Sequence, residues 1–112
     1  MSEPAPRRGE VWLARLDTVR PIVVLTRDPM GALLHGVIGA PITSTIRGLS
    51  TEVRVGADDG VRVESVANLD SVQLVPRSRL VRRVGRARAS TMTSICGALA
   101  IAVRCEQGRE RA

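Results

Sequence analysis

A chain of 112 residues, 44% hydrophobic and 25% charged, is one domain with enough apolar material to bury a core and too much to be disordered. A formal net charge of +6, carried by 17 basic residues that are all arginine, favours an anionic partner, either nucleic acid or an acidic peptide. One Trp and no Tyr or Phe exclude a platform for stacking bases, and with no long apolar run and no cleavable leader to be read the protein is expected in the cytoplasm.

Residues 1–8, with Pro4 and Pro6, read as a flexible tail, residues 9–105 as one domain and residues 106–112 as a polar tail. The first strand is expected over residues 10–16, where alternation puts Trp12, Ala14 and Leu16 on one face. Residues 21–26 are a continuous β-branched run suited to a central strand covered on both sides, with Pro21 tolerable only as its first residue. Residues 35–42 make a looser third strand in which Gly36 and Gly39 signal a bend or a close backbone approach. Residues 51–55 and 61–64 both alternate strictly, and Asp59-Gly60 between them predicts a hairpin. A further strand is expected over residues 66–74 and a last one over 80–84.

The period then lengthens. Ser90 is placed as an N-cap, and Met92, Ile95, Cys96, Leu99 and Val103 follow at helical spacing. Gly97 weakens this helix by roughly 1 kcal/mol relative to Ala, so tertiary packing must hold it. Cys96 reads as a free thiol packed in the core. Cys105 would lie about 13 Å away along the helix, beyond the reach of a disulfide at about 7 Å. Short strands followed by one helix give a mainly β domain with a C-terminal α-helix, a small curved barrel that the helix closes.

The chemistry is bounded first by what is missing. There is one His, His35, with no His/Cys cluster, no carboxylates at metal-ligand spacing and no phosphate-binding glycine loop. No cofactor and no metal are therefore expected. Asp58-Asp59, the adjacent acidic pair, reads as turn chemistry. What remains is a polar set at strand ends. Arg20 precedes Pro21, which forces its backbone into an extended conformation and fixes where the guanidinium starts. Thr43, Ser44 and Thr45 follow Pro41-Ile42 where the third strand ends, and Asn68 and Asp70 are two apart on one expected strand and so share a face.

These pieces resemble the MazF/PemK family of toxin endoribonucleases over residues 8–103. The resemblance is carried by the segments RGEVW (8–12), RPIVVL (20–25), APITSTIRGL (40–49), TEV (51–53) and SVANLD (65–70), in the family's order. It implies a small SH3-like barrel of the MazF/CcdB type, a homodimer, and inhibition by an antitoxin with an acidic flexible segment. It also implies a catalytic pair, Arg20 and Thr43, with Asp70, Asn68, Ser44 and Thr45 as supporting or substrate-binding residues. Two departures stand out. The family's Arg-x-Asp element is here Asn68-Leu69-Asp70, and the long polar loop that precedes the Arg-Pro step in many relatives is reduced to Asp17-Thr18-Val19.

The implied activity is metal-independent, sequence-selective cleavage of single-stranded RNA, whether messenger, ribosomal or transfer RNA, which inhibits translation and growth. The RNA's own 2′-hydroxyl would attack the adjacent phosphorus, leaving a 2′,3′-cyclic phosphate and a 5′-hydroxyl. Arg20 would stabilise charge on the phosphoryl oxygens through paired hydrogen bonds. Thr43 would hold a phosphoryl oxygen or orient the attacking hydroxyl. Arginine stays protonated in water, so Arg20 is a poor base; Asp70 is a more distant candidate, and the proton steps stay open. The shortage of aromatic residues points to base choice by hydrogen bonds and loop shape rather than by stacking.

Arg77, Arg79, Arg82, Arg83, Arg86 and Arg88 place six guanidiniums within twelve residues. They could track RNA phosphates, receive the antitoxin's acidic segment, or simply protect a solvated edge strand. Removing Arg82 and Arg83 together is the test of the first reading. Two alternatives to the ribonuclease remain. One is a CcdB-like gyrase poison, which depends on a Trp-Gly-Ile terminus where this chain has Gly108-Arg109-Glu110-Arg111-Ala112; the other is a non-catalytic nucleic-acid-binding barrel.

Overall fold

β-Branched residues, alternating or in runs, set the strands: β1 (Glu10–Arg15), β2 (Val19–Val24), β3 (Gly36–Thr43), β4 (Glu52–Val55), β5 (Ser65–Asn68), β6 (Gln73–Pro76) and β7 (Leu80–Arg86). A single helical turn, α1 (Met30–Leu33), joins β2 to β3, and the chain continues after β7 into α2 (Ala89–Val103). The computed structural model describes residues 5–104, so Cys105 and the polar tail 106–112 lie outside the described residues. The strands form one antiparallel sheet in the order β4-β5-β3-β2-β1-β7, with β6 paired to β3. No described helix is long and apolar enough to cross a membrane.

The sheet is not closed by pairing, since no ladder joins β4 to β7. The loop 56–64 bridges them instead. Gly60, at φ 82°, lies so close to β7 that a Cβ there would stand 2.5 Å from the Gly85 Cα. Only two glycines allow this contact. Beside it Asp59 is fully buried and accepts hydrogen bonds from the Arg88 backbone N–H (2.9 Å), the Arg88 guanidinium (3.3 Å) and the Thr91 hydroxyl (2.9 Å). The barrel is closed by a loop and a carboxylate rather than by strand pairing.

Both faces of the central strands are covered, as the apolar run at 21–26 predicts. Val23 and Leu25 join Val11, Ile42, Val55, Leu69 and Ile95 in one core, on which α2 sits. Ile22 and Val24 join Trp12, Ala14, Val37 and Val75 in a second, with Leu16 packed against it. The expected face of Trp12, Ala14 and Leu16 is thus real. Gly36 and Gly39 mark close approach, since an added Cβ would meet the Val75 carbonyl oxygen or Ile22 Cδ1 at 2.7 Å in each case.

Several expectations give way to tertiary contacts. Pro21 is not the first residue of its strand; β2 starts at Val19, and Pro21 pairs with Leu13. Its missing N–H is tolerated because the β2–β3 ladder begins only at Ile22. Residues 61–64 form no strand: Val61 is buried but Val63 is 62% exposed, and the true partner of β4 is β5, with Val55 opposite Ser65. The expected strand over 66–74 is broken by a 3-10 turn at Leu69–Ser71, where the Asn68 side chain accepts from the Asp70 backbone N–H at 2.9 Å. Asn68 and Asp70 therefore do not share a strand face.

The helix also differs in its details. Arg88, not Ser90, is the N-cap residue, and no local side chain caps it; the remote Asp59 takes over. The buried face is Thr91, Ile95 and Ala98, flanked by Met92, Leu99 and Ala102, so Cys96 and Val103 are exposed. Cys96 is not a core thiol. Its Sγ lies 3.1 Å from Arg8 Nη2, which also ties the start of the chain to the helix. Arg8 further donates to Leu25 O (2.7 Å) and, from its backbone, to Asp28 (2.9 Å), so the end of the segment expected to be flexible is held in place.

Candidate active site

The β2–β3 register pairs Ile22 with Pro41 and Val24 with Gly39. Carried on past the end of the ladder, it sets Arg20 opposite Thr43. Two residues more than twenty apart in sequence thus come to line the same cleft. The Arg20 side chain is one-third exposed, and its Nη2 donates to Asp17 Oδ2 at 3.1 Å and to Thr18 Oγ1 at 3.4 Å. Its Nε is buried and makes no hydrogen bond. Thr43 Oγ1 accepts from the Thr45 backbone N–H at 3.1 Å, which fixes the hydroxyl and leaves its own proton free to donate.

Arg20, Thr43 and Ser44 form one wall of an open cleft of about 490 Å³. The closing loop, Gly60 to Val63, and Arg82 of β7 line the same cleft. Three arginines and no carboxylate line this cleft. Arg20 also borders a second cavity of about 410 Å³, with Asp17, Gln73 and Arg79. The Asp17 carboxyl is held below its usual range, first by the Thr18 backbone N–H, which works against desolvation, with a smaller contribution from the charge of Arg20. The shortened loop before Arg20 thus still places an ionised carboxylate on its guanidinium.

Other expected residues fall elsewhere. Asp70 and Asn68 line neither cavity, and Asp70 Oδ2 accepts from the Thr51 hydroxyl at 2.6 Å, bracing the 3-10 turn against the start of β4. Thr45 meets the cleft only through its bond to Thr43. Most of the arginine-rich segment is engaged internally. Arg77 donates to Gly31 O and Ala32 O, Arg79 to Arg15 O, Arg83 and Arg86 pair with Glu10, and Arg88 with Asp59. Arg82 faces the cleft instead. In the β1–β7 ladder Arg82 stands opposite Leu13 and Arg83 opposite Trp12, and as consecutive strand residues they take different faces of the sheet. The two arginines expected to act as a pair are therefore split.

Glu10 was not marked by the sequence reading. It is 4% exposed and accepts from the Trp12 indole (3.0 Å), the Arg7 backbone N–H (2.9 Å) and Arg83 (3.1 Å). Burial works against its ionisation, but these three donors outweigh burial and hold its pKa below the usual value. The signal available in sequence was the Glu-x-Trp spacing on one strand, which puts both side chains on the same face. Among the described residues no group of His, Cys, Asp and Glu is arranged to hold a metal ion.

A cationic cleft with a fixed guanidinium opposite a fixed hydroxyl suits a phosphodiester. Comparison with known proteins gives the family. The family model described as "PemK-like, MazF-like toxin of type II toxin-antitoxin system" matches residues 7–103. The chain is 43% identical over 105 residues to the probable endoribonuclease MazF5 of Mycobacterium tuberculosis (strain ATCC 25618 / H37Rv), covering 91% of this chain and 96% of the relative. Among solved structures it is similar to the Mycobacterium tuberculosis toxin MazF-mt6, with TM-score 0.83 and 37% identity over 87% of this chain and 98% of that one. It is also similar to an endoribonuclease in complex with its cognate antitoxin from a mycobacterial species, with TM-score 0.83 and 26% identity over 91% and 98% of the two chains. With the barrel, its C-terminal helix and nearly the whole length of the chain in agreement, this protein belongs to the PemK-like, MazF-like toxin family of type II toxin–antitoxin systems.

Proposed function

We propose that this protein is the toxin of a type II toxin–antitoxin pair and an endoribonuclease that cuts single-stranded RNA in the cytoplasm, inhibiting translation and growth. The observation that carries the reading is that Arg20 and Thr43 line one cleft with two further arginines and no carboxylate. Relatives of similar length bear the name endoribonuclease, and one related structure holds a cognate antitoxin.

The 2′-hydroxyl of the substrate attacks the adjacent phosphorus, the bond from phosphorus to the 5′-oxygen breaks, and a 2′,3′-cyclic phosphate and a 5′-hydroxyl result. Negative charge collects on the non-bridging oxygens as the transition state forms. The Arg20 guanidinium, one-third exposed on the cleft, stabilises that charge by donating to such an oxygen. Asp17 holds the far nitrogen of Arg20, so the fork is aimed before substrate arrives. Thr43 donates its free proton to a phosphoryl oxygen. This chemistry needs no metal, since the nucleophile belongs to the substrate. The antitoxin's acidic segment competes for the same arginines, and the active form is a homodimer.

The test is incubation of the protein in EDTA with a mixed-sequence single-stranded RNA, beside Arg20→Ala and an all-DNA copy. Fragments ending in 2′,3′-cyclic phosphate are expected from the parent acting on RNA, with the rate lowered at least about a hundredfold by Arg20→Ala. Cleavage of the DNA copy, or a rate unchanged by Arg20→Ala, overturns the reading.

A further inference from the structure

Arg62 and Arg82 line the cleft with Arg20, yet neither guanidinium meets a carboxylate or carbonyl among the described residues. Arg82 comes from a strand. Arg62 comes from the closing loop, a segment fixed on both sides. Before it, Gly60 is pressed on Gly85 and Asp59 is anchored to Arg88 and Thr91. After it, the Ser65 hydroxyl donates to Val63 O at 2.7 Å, and Glu64 pairs with Arg54 at 3.3 Å. The backbone of Arg62 is thus held by buried contacts before it and by a part-buried hydrogen bond after it, although the loop has no regular structure. A guanidinium on a rigid base, left unpaired beside an open cleft, is arranged for a ligand.

The surface beside it is aliphatic. Val63 is 62% exposed, and Leu13, Val61 and Val84 line the same space. No aromatic ring is available, so a nucleobase there would lie its face on valine and leucine and be recognised along its edge. Arg62 offers only donors. Its fork matches an edge that presents a carbonyl oxygen, as uracil and guanine do, and opposes the exocyclic amine that adenine and cytosine carry at the equivalent place.

Resting on the ribonuclease reading, we infer that the closing loop is the specificity wall of the cleft. Arg62 selects a keto base, uracil or guanine, next to the phosphate held by Arg20, and Arg82 holds a neighbouring backbone phosphate. Asp59 acts as a positioning residue, since it touches no substrate and sets where the loop lies.

The test is digestion of a random-sequence RNA pool followed by sequencing of the cut ends, for the parent, Arg62→Ala, Arg62→Lys and Arg27→Ala. Arg27 is exposed and outside the cleft, and its removal changes the net charge as Arg62→Ala does. The parent is expected to show one position beside the cut enriched in uracil or guanine by about tenfold or more. Arg62→Ala and Arg62→Lys lose that preference and keep the others, because lysine restores charge but not the fork; Arg27→Ala keeps the whole motif. A motif indifferent to Arg62→Ala, or an amino base preferred at the position it controls, overturns the inference alone. A parent that cuts no RNA overturns the ribonuclease reading, and this inference with it.

Discussion

The fully buried carboxylate of Asp59 binds both the backbone N–H of Arg88, at 2.9 Å, and its guanidinium, at 3.3 Å. One side chain thereby caps α2, fixes the closing loop and joins the two ends of the sheet. Removing it leaves the Gly56 and Arg88 N–H groups, the Arg88 guanidinium and the Thr91 hydroxyl without their shared acceptor. Asp59→Asn is expected to lower stability by about 2–4 kcal/mol, measured by urea unfolding, because two of its donors need a charged acceptor and the amide would present N–H to them.

The same residue gives a pH dependence. Burial disfavours the ionised form of Asp59, but the backbone and guanidinium of Arg88, the Thr91 hydroxyl and the Gly56 N–H outweigh it and lower its pKa. Glu10 is lowered in the same way. A carboxyl with a lower pKa folded than unfolded contributes stability above the unfolded value, and that contribution fades as pH falls through the folded one. Stability should therefore hold from neutral pH down to about pH 4.5 and fall steadily below it. The acid fall should be shallower in Asp59→Asn; an unchanged slope would count against Asp59 as its source.

Arg82 and Arg83 are neighbours in sequence with opposite duties. Arg82→Ala should weaken RNA binding at low salt by about three- to tenfold, reduce its salt dependence and leave the melting temperature unchanged. Arg83→Ala removes a partner of buried Glu10 and should cost about 1 kcal/mol in stability, a small value because Arg83 itself is largely exposed. Measured affinities and melting curves should separate the two variants. Equal effects on both readouts would contradict the split between faces.

Asp17 tests whether a short loop suffices to aim Arg20. Asp17→Ala should lower kcat by about tenfold with little change in stability, since the carboxylate is exposed and its role is to orient the guanidinium. Asp17→Glu should recover part of the loss.

Gly97 lies on the exposed side of α2, and a Cβ added there meets nothing within 4 Å. Gly97→Ala should therefore stabilise the protein by about 0.5–1 kcal/mol through lower unfolded-state entropy. A thermal melt suffices to check it.

What the sequence determined by itself was local and periodic. The β-branched run through Ile22, Val23 and Val24, the alternation through Trp12 and Ala14 and the helical spacing after Ala89 are written in side-chain order, and order alone decides which face a residue takes. Arg20 before Pro21 and Thr43 after Pro41-Ile42 were legible for the same reason, with the family's segments around them. The tertiary structure decided what depends on contacts distant in the chain. Val61 to Glu64 alternate like a strand, but the burial of Asp59 against Arg88 and the Gly60–Gly85 contact fix them as a wall of the cleft. Cys96 fits an apolar helical face, but α2 turns Thr91, Ile95 and Ala98 to the core instead. Buried Glu10 engages Arg83 while Arg82 is left to the cleft, and the Thr51 hydroxyl, nineteen residues away, holds Asp70 on its turn and out of the expected strand. In each case propensities of a fraction of a kcal/mol per residue yield to buried hydrogen bonds and close packing worth several times more.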